Sequence, residues 1–131
     1  MRPVVRRLRH ARIWFALWTA MIAAVVALSL MRGPPIPDLL TIAKLDHFIA
    51  YLALAAYGMQ LYASRAAQGI VALALVALGI GLELAQGYLT TWRDMSVFDG
   101  CVDTAGVLAG LATAWTPVAR LLQAVEARWA R

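Results

Sequence analysis

Chemically reactive side chains recur in three segments of an otherwise apolar chain. Most of them lie three, four or seven positions from another member, so that they share one face of a helix. A histidine among carboxylates suits proton transfer, while lysine, arginine, tyrosine and amide groups can bind a polar ligand. The candidate catalytic residues are His47, Glu83 and Asp103. The candidate ligand-binding residues are Lys44, His47, Tyr51, Glu83, Gln86, Arg93, Asp99 and Asp103.

This set carries more acid than base. Together with Asp46 and Asp94 from the same segments, it has two fixed cations, Lys44 and Arg93, and five carboxylates, Asp46, Glu83, Asp94, Asp99 and Asp103. Protonation of His47 or of a carboxylate would reduce the excess, as would a bound cation or a cationic group of a substrate. No complete metal-binding motif occurs, and a single cysteine, Cys101, excludes a thiolate zinc cluster and an intrachain disulfide. The sequence therefore assigns no metal or cofactor.

Long apolar runs separate the polar segments and must position them. The chain has 131 residues, of which 63% are hydrophobic and 15% charged, a composition typical of a membrane protein. We predict an all-α, polytopic membrane protein in which residues 1–131 form one domain, a four-transmembrane-helix bundle. The spans cover about residues 13–31, 45–63, 66–89 and 97–115. A proline-rich loop over 32–38, an interfacial turn over 39–42 and a C-terminal amphipathic interfacial helix over about 117–130, with Thr116 as its N-cap, complete the prediction.

Basic residues before the first span predict the orientation. They are Arg2, Arg6, Arg7, Arg9 and Arg12. Such a tail is typical of a cytoplasmic flank, and without a globular binding module it argues against nucleic acid. The first apolar run is longer than that of a cleaved signal peptide and ends at Arg-Gly-Pro-Pro, so we expect a retained helix. With an even number of spans, both termini are cytoplasmic and the polar set faces the extracytoplasmic side.

Several of these residues also have purely structural interpretations. Ser96 and Asp99 fit a variant capping box, which would explain Asp99 without any function. Asp103 lies one turn deeper, where a carboxylate costs about 2.5 to 3.5 kcal/mol unless it is paired or hydrated, so we expect it to point inward. Cys101 is expected to pack in the core. Gly106 and Gly110 have the spacing of a close helix contact, either within the bundle or in a homo-oligomer.

The order and spacing of the polar residues carry a family resemblance. The motifs are Lys44-x-x-His47-Phe48-x-x-Tyr51, Glu83-x-x-Gln86 and Arg93-x-x-Ser96-x-x-Asp99-x-x-x-Asp103-x-x-Gly106. This pattern, over about residues 44–110, resembles the VanZ-like family. The resemblance implies a small multi-pass protein of the bacterial cytoplasmic membrane, in a family named for a member linked to low-level teicoplanin resistance. Two positions depart from the family pattern, Ala43 where aspartate is frequent and Asp103 where asparagine is frequent; Asp46 is a possible replacement for the first carboxylate.

Three functions remain open on the sequence. The leading hypothesis is an extracytoplasmic pocket for a lipid-linked or amphiphilic molecule, with a role in glycopeptide resistance or envelope lipid handling. The second is a membrane-embedded enzyme acting on lipid head groups, with His47 as acid or base. The third, a small ion-coupled carrier, is the least favoured because the charged residues gather near one face and form no path across the bilayer.

Overall fold

The fold is entirely helical over the part of the chain that the computed structural model describes, residues 3–32 and 40–130. The predicted proline-rich loop lies almost wholly outside these residues. The helices are α1 (Ala11–Leu30), α2 (Leu40–Leu61), α3 (Arg65–Leu89), α4 (Val97–Ala112) and α5 (Leu121–Trp129). Two short 3-10 segments, Thr113–Trp115 and Pro117–Arg120, connect α4 to α5. The prediction of an all-α fold is confirmed.

Three helical segments are long and apolar enough to cross a membrane. They are Ala11–Leu30, Arg65–Leu89 and Val97–Trp115. The last combines α4 with the following 3-10 turn, so the fourth predicted span is only partly α-helical. Within the described residues, α2 is not one of the three, and it carries the polar side chains Lys44, Asp46, His47 and Gln60. It begins at Leu40, so residues 40–42 of the predicted turn belong to the continuous helix, while residue 39 lies outside the described residues.

The helix α2 lies at the centre of the fold. Its residues Tyr51, Leu54, Ala55 and Met59 are buried and meet apolar side chains of α3 and α4. The closest approach is to α4 at Gly106 and Gly110. A Cβ atom on Gly106 would lie 2.5 Å from the carbonyl oxygen of Phe48, and one on Gly110 would lie 2.5 Å from Cβ of Ala55. This glycine pair therefore serves a contact within the chain, which answers the question that the sequence left open.

The helix α1 is attached more loosely than the others. None of its residues is buried, although partly buried apolar side chains on one face pack against the core. Two hydrogen bonds also hold it to α2: the indole nitrogen of Trp18 donates to the Leu54 carbonyl at 2.9 Å, and the Tyr57 hydroxyl donates to the Trp14 carbonyl at 3.1 Å. The helix is thus held by a partly buried face and by hydrogen bonds at defined points.

The basic N-terminal tail forms an ordered arm along the end of α2. Backbone hydrogen bonds join Arg6 to Leu61 at 2.8 Å and Ala63 to Val4 at 2.8 Å, around an antiparallel bridge between Val5 and Tyr62. The sequence indicated only a charged flank here. Backbone pairing depends little on side-chain type, which is why the residue pattern carries no sign of it.

The C-terminal region differs from the predicted single amphipathic helix. Thr116 does precede a helical segment that begins with proline, but its hydroxyl donates to the Thr113 carbonyl at 2.8 Å and caps nothing. Of the apolar stripe that the spacing indicated, Leu122 is buried, whereas Leu121 and Trp129 are exposed. The inward face includes an acidic residue instead. Glu126 is only 8% exposed and holds the arm to α5, as described in the Discussion.

Candidate functional site

A histidine and two carboxylates meet at the end of the bundle opposite the termini. Nδ1 of His47 lies 2.9 Å from Oδ1 of Asp103, and Glu83 completes a group whose potential ligand atoms all lie within 4.8 Å of one another. Asp103 and Glu83 are 2% and 5% exposed, so both carboxylates point inward as expected. We call His47, Glu83 and Asp103 the triad.

Antiparallel helix order brings the triad together. His47 lies near the start of α2, Glu83 near the end of α3 and Asp103 in the second turn of α4, and these positions share one end of the fold. Space for the carboxylate comes from Gly79 on α3. A Cβ atom there would lie 3.1 Å from Oδ2 of Asp103 and 3.4 Å from Cε1 of Tyr51.

Glu83 also fixes the start of α4. Its Oε2 accepts a hydrogen bond from the Ser96 backbone N–H at 2.9 Å, while the Ser96 hydroxyl accepts from the Asp99 N–H at 3.2 Å. The half of the predicted capping box in which Ser96 caps the helix is therefore confirmed. The reciprocal half is wrong, because Glu83 of a neighbouring helix satisfies the Ser96 N–H in place of Asp99. This contact gives Glu83 a structural role besides any chemical one.

Tyr51 has a buried hydroxyl beside the triad. The side chain is 2% exposed, and its hydroxyl has no hydrogen-bond partner within the described residues. A buried donor without a partner costs about 1 to 3 kcal/mol, and polar groups of this kind are usually satisfied by water or a ligand. Tyr51 also lines the adjoining cavity, so its unpaired hydroxyl lies close to that space.

That cavity has a volume of about 400 Å³ and lies between α1, α2 and the loop after α3. Its polar lining comes from Asp46, His47, Tyr51 and Arg93, and its apolar lining includes Leu28. Arg93 is exposed, and one of its terminal nitrogens donates to the Ser29 carbonyl at 3.0 Å. We call this cavity the polar pocket. It combines a guanidinium, a carboxylate and an imidazole with an apolar wall.

Three of the predicted ligand-binding residues have other roles. The Lys44 ammonium lies 3.8 Å from the ring centroid of Phe98, and Gln86 donates to the Ser29 carbonyl at 2.9 Å. Asp99 lies in the first turn of α4, where its N–H is capped by Ser96. None of the three lines the polar pocket.

The sequence missed Ser29, because it acts through its backbone carbonyl, which leaves no trace in the residue pattern.

An apolar groove lies on the other side of the triad. It has a volume of about 550 Å³ between α3 and α4, and its lining includes Ile80, Glu83, Val97 and Cys101. Cys101 is exposed, so its predicted place in the core is wrong. Because Glu83 borders the groove and His47 borders the polar pocket, the triad separates a mainly apolar cavity from a polar one.

The arrangement suits two kinds of chemistry. An imidazole held by a carboxylate can accept or donate a proton at its other nitrogen, and the hydrogen bond to Asp103 orients the ring for this. An imidazole with two carboxylates is also a common ligand set for a divalent cation. A comparison with protein-family models, curated proteins and solved structures finds no match to this chain. Membership of the VanZ-like family therefore stays a prediction, and the proposals below rest on the site.

Proposed function

We propose that the protein is a four-span protein of the bacterial cytoplasmic membrane, of VanZ-like type, whose polar pocket binds the head group of a lipid-linked or amphiphilic molecule. A lipoglycopeptide antibiotic of the teicoplanin class is one such molecule. The observation that carries the proposal is the shared pocket of Arg93, Asp46 and His47 beside the apolar side chain of Leu28. A guanidinium binds phosphate or carboxylate, a carboxylate binds amines, and an apolar wall accommodates a hydrocarbon chain.

The fourth span in this proposal is α2. The helix has 22 residues, and at 1.5 Å per residue it is about 33 Å long, sufficient for the hydrocarbon core. Its polar side chains have internal partners that reduce the cost of burial: His47 contacts Asp103, and the Gln60 side-chain oxygen accepts from the Leu122 N–H at 3.1 Å. Four spans would leave both basic termini on the cytoplasmic side and the polar pocket outside.

A susceptibility test examines the proposed function. A Gram-positive host producing the wild-type protein is expected to tolerate teicoplanin better than the host alone, with little change for vancomycin, which lacks the acyl chain. The Arg93→Ala and His47→Ala variants, which change two residues that line the pocket, should lose this protection at matched membrane levels. The control is Arg128→Gln, which changes an exposed arginine of α5 far along the chain from the pocket. Equal protection by all variants would contradict a role for the pocket.

A second candidate function is a head-group enzyme that uses a divalent cation, and the triad favours it. One imidazole nitrogen and two carboxylate oxygens within 4.8 Å of one another can hold one ion. The triad would hold the ion, which would supply activation of water for hydrolysis, and Arg93 would bind the oxygens of a phosphate ester.

Metal analysis of the detergent-purified protein examines this candidate. After exposure to Zn²⁺ or Mn²⁺ and gel filtration, the wild type should retain about one ion per chain. The combined His47→Ala and Asp103→Ala variant should retain none, and Asp94→Asn, which changes an exposed loop carboxylate, should behave as the wild type. Metal-free wild type would remove the cation from the proposal and leave the binding function intact.

A further inference from the structure

A second polar cavity lies at the opposite end of the fold, beside the chain termini. It has a volume of about 750 Å³ and is bounded by the N-terminal arm, the start of α3 and the second 3-10 segment. Each of these elements contributes one arginine: Arg6, Arg65 and Arg120. Its lining, as far as the structure describes it, includes no aspartate or glutamate. We call this cavity the arginine basin.

The three guanidinium groups have no carboxylate partner in the described part of the chain, whose ion pairs are His10 with Glu126 and His47 with Asp103. Burial and the charges of Arg120 and Arg65 lower the pKa of Arg6. Because all three guanidinium groups line the same cavity, their positive charges repel one another. A bound anion would relieve this repulsion, because it attracts all three at once.

The basin is also held in shape before any ligand binds. Nε of Arg6 donates to the Met59 carbonyl at 3.3 Å, and backbone hydrogen bonds fix the arm on both sides of it. The Arg65 guanidinium lies 4.5 Å from the ring centroid of Trp115 and donates to Gln68 at 3.1 Å. Preorganised donors bind an anion more tightly than mobile ones, because less side-chain entropy is lost on binding.

The position of the basin indicates the kind of anion. It lies where two candidate membrane spans end, since α3 begins at Arg65 and the last span ends at Trp115. Phosphate groups of lipids are found at this level of a bilayer, and tryptophan and arginine are common there. Arginine also matches phosphate oxygens through paired hydrogen bonds.

We propose that the arginine basin binds a phosphate group, presented by the head group of an anionic phospholipid or by a soluble phosphate compound. The site is separate from the polar pocket and does not depend on the function proposed for it. It gives the basic residues near the termini a specific ligand in addition to their effect on orientation.

Thermal unfolding of the full chain in a neutral detergent tests the proposal. Phosphatidylglycerol, phosphatidylcholine and inorganic phosphate are titrated separately, and the apparent dissociation constant is taken from the rise in melting temperature. Phosphatidylglycerol is expected to stabilise the protein, whereas phosphatidylcholine is not, because its choline cation cancels the phosphate charge and is repelled by the three arginines. A response to inorganic phosphate as well would identify the phosphate group alone as the ligand, and no response to it would identify the lipid as the source.

Two variants and a control make the test specific. Arg120→Gln should weaken phosphatidylglycerol binding about tenfold, as expected for one lost guanidinium contact. Arg6→Gln should do the same but also removes the bond to Met59, so Arg120→Gln, whose side chain makes no hydrogen bond within the described residues, is decisive. Arg128→Gln lies outside the basin and should bind as the wild type. Equal binding of both phospholipids, or wild-type binding by Arg120→Gln, would overturn the proposal.

Discussion

Glu126 is the residue on which the contact between the arm and α5 depends. Its carboxylate accepts hydrogen bonds from the Arg9 N–H at 2.6 Å, the His10 N–H at 2.8 Å and the Trp14 indole at 2.8 Å. Burial alone would raise the pKa of Glu126, but these hydrogen bonds outweigh it and hold the pKa below its ordinary value. The ionised form is therefore the one that the fold stabilises.

The lowered pKa predicts a pH-dependent contribution of Glu126 to stability. Since its folded pKa lies below the unfolded value of 4.5, the contribution is complete above that pH and is lost as the pH falls through the folded value. We expect Glu126→Gln to lower stability by about 2 kcal/mol near neutral pH and by progressively less below about pH 4.5. Melting temperatures of both proteins across this range measure the difference.

The control for this prediction is Asp94→Asn, which changes an exposed carboxylate in the loop before α4. Its melting temperature should stay close to that of the wild type throughout the same pH range. A Glu126→Gln deficit that is constant with pH would contradict the argument, because it would show that the loss comes from packing rather than from the charge.

Sequence reasoning located residues whose side-chain chemistry determines their position, and it missed residues whose contacts involve backbone groups. Asp103 was expected to point inward because an unpaired carboxylate is costly inside a span, and His47 was expected at the same end because the helices alternate in direction. Ser29 was missed because it acts through its own backbone carbonyl, and Glu126 was missed because two of its hydrogen bonds come from backbone N–H groups, which nearly every residue has. Lys44 was assigned to the binding set on its face of the helix, whereas its ammonium packs on Phe98.

The contact between α2 and α4 is the element-scale feature that holds the triad together. Gly110 approaches α2 so closely that an added Cβ atom would lie 2.7 Å from the Leu52 carbonyl oxygen. We expect Gly110→Ala to force the two helices apart and to cost about 1 to 3 kcal/mol, the usual range for overpacking. Melting in detergent measures this loss of stability.

A matched glycine on α3 provides the control. A Cβ atom on Gly81 would meet no atom within 4 Å, and alanine favours helix, so Gly81→Ala should leave the melting temperature unchanged or raise it slightly. Equal losses for Gly81→Ala and Gly110→Ala would indicate that glycine serves flexibility in both helices rather than close approach in one. The spacing of Gly106 and Gly110 predicted such a contact, but only the fold shows that its partner is α2.

At the scale of the whole molecule, the number of spans decides which residues share a side of the membrane. In the part of the chain that the structure describes, three helical segments qualify by length and composition, and α2 is not one of them. If α2 crosses as proposed, residues 64 and 128 lie on one side and residue 94 on the other. If it does not cross, the chain has three spans, and the N-terminus and the C-terminus lie on opposite sides of the membrane.

Labelling of single cysteines distinguishes the two topologies. In a Cys101→Ala background, a membrane-impermeant maleimide added outside intact cells is expected to label Asp94→Cys, while Arg7→Cys and Arg128→Cys react only after the membrane is permeabilised. Opposite accessibility of Arg7→Cys and Arg128→Cys would contradict four spans. Composition alone could not settle this point, because the partners of His47 and Gln60 on neighbouring elements are visible only in the fold.

The Ser29 carbonyl near the end of α1 accepts hydrogen bonds from both Gln86 and Arg93. A ligand that draws the Arg93 guanidinium away from this carbonyl removes one of these two hydrogen bonds, which join α1 to α3 and to the loop after it. By thermodynamic reciprocity, whatever holds α1 more firmly then weakens binding at the polar pocket, and a bound ligand loosens α1 by the same free energy. The affinity of the polar pocket for a head group and the mobility of α1 are therefore thermodynamically linked.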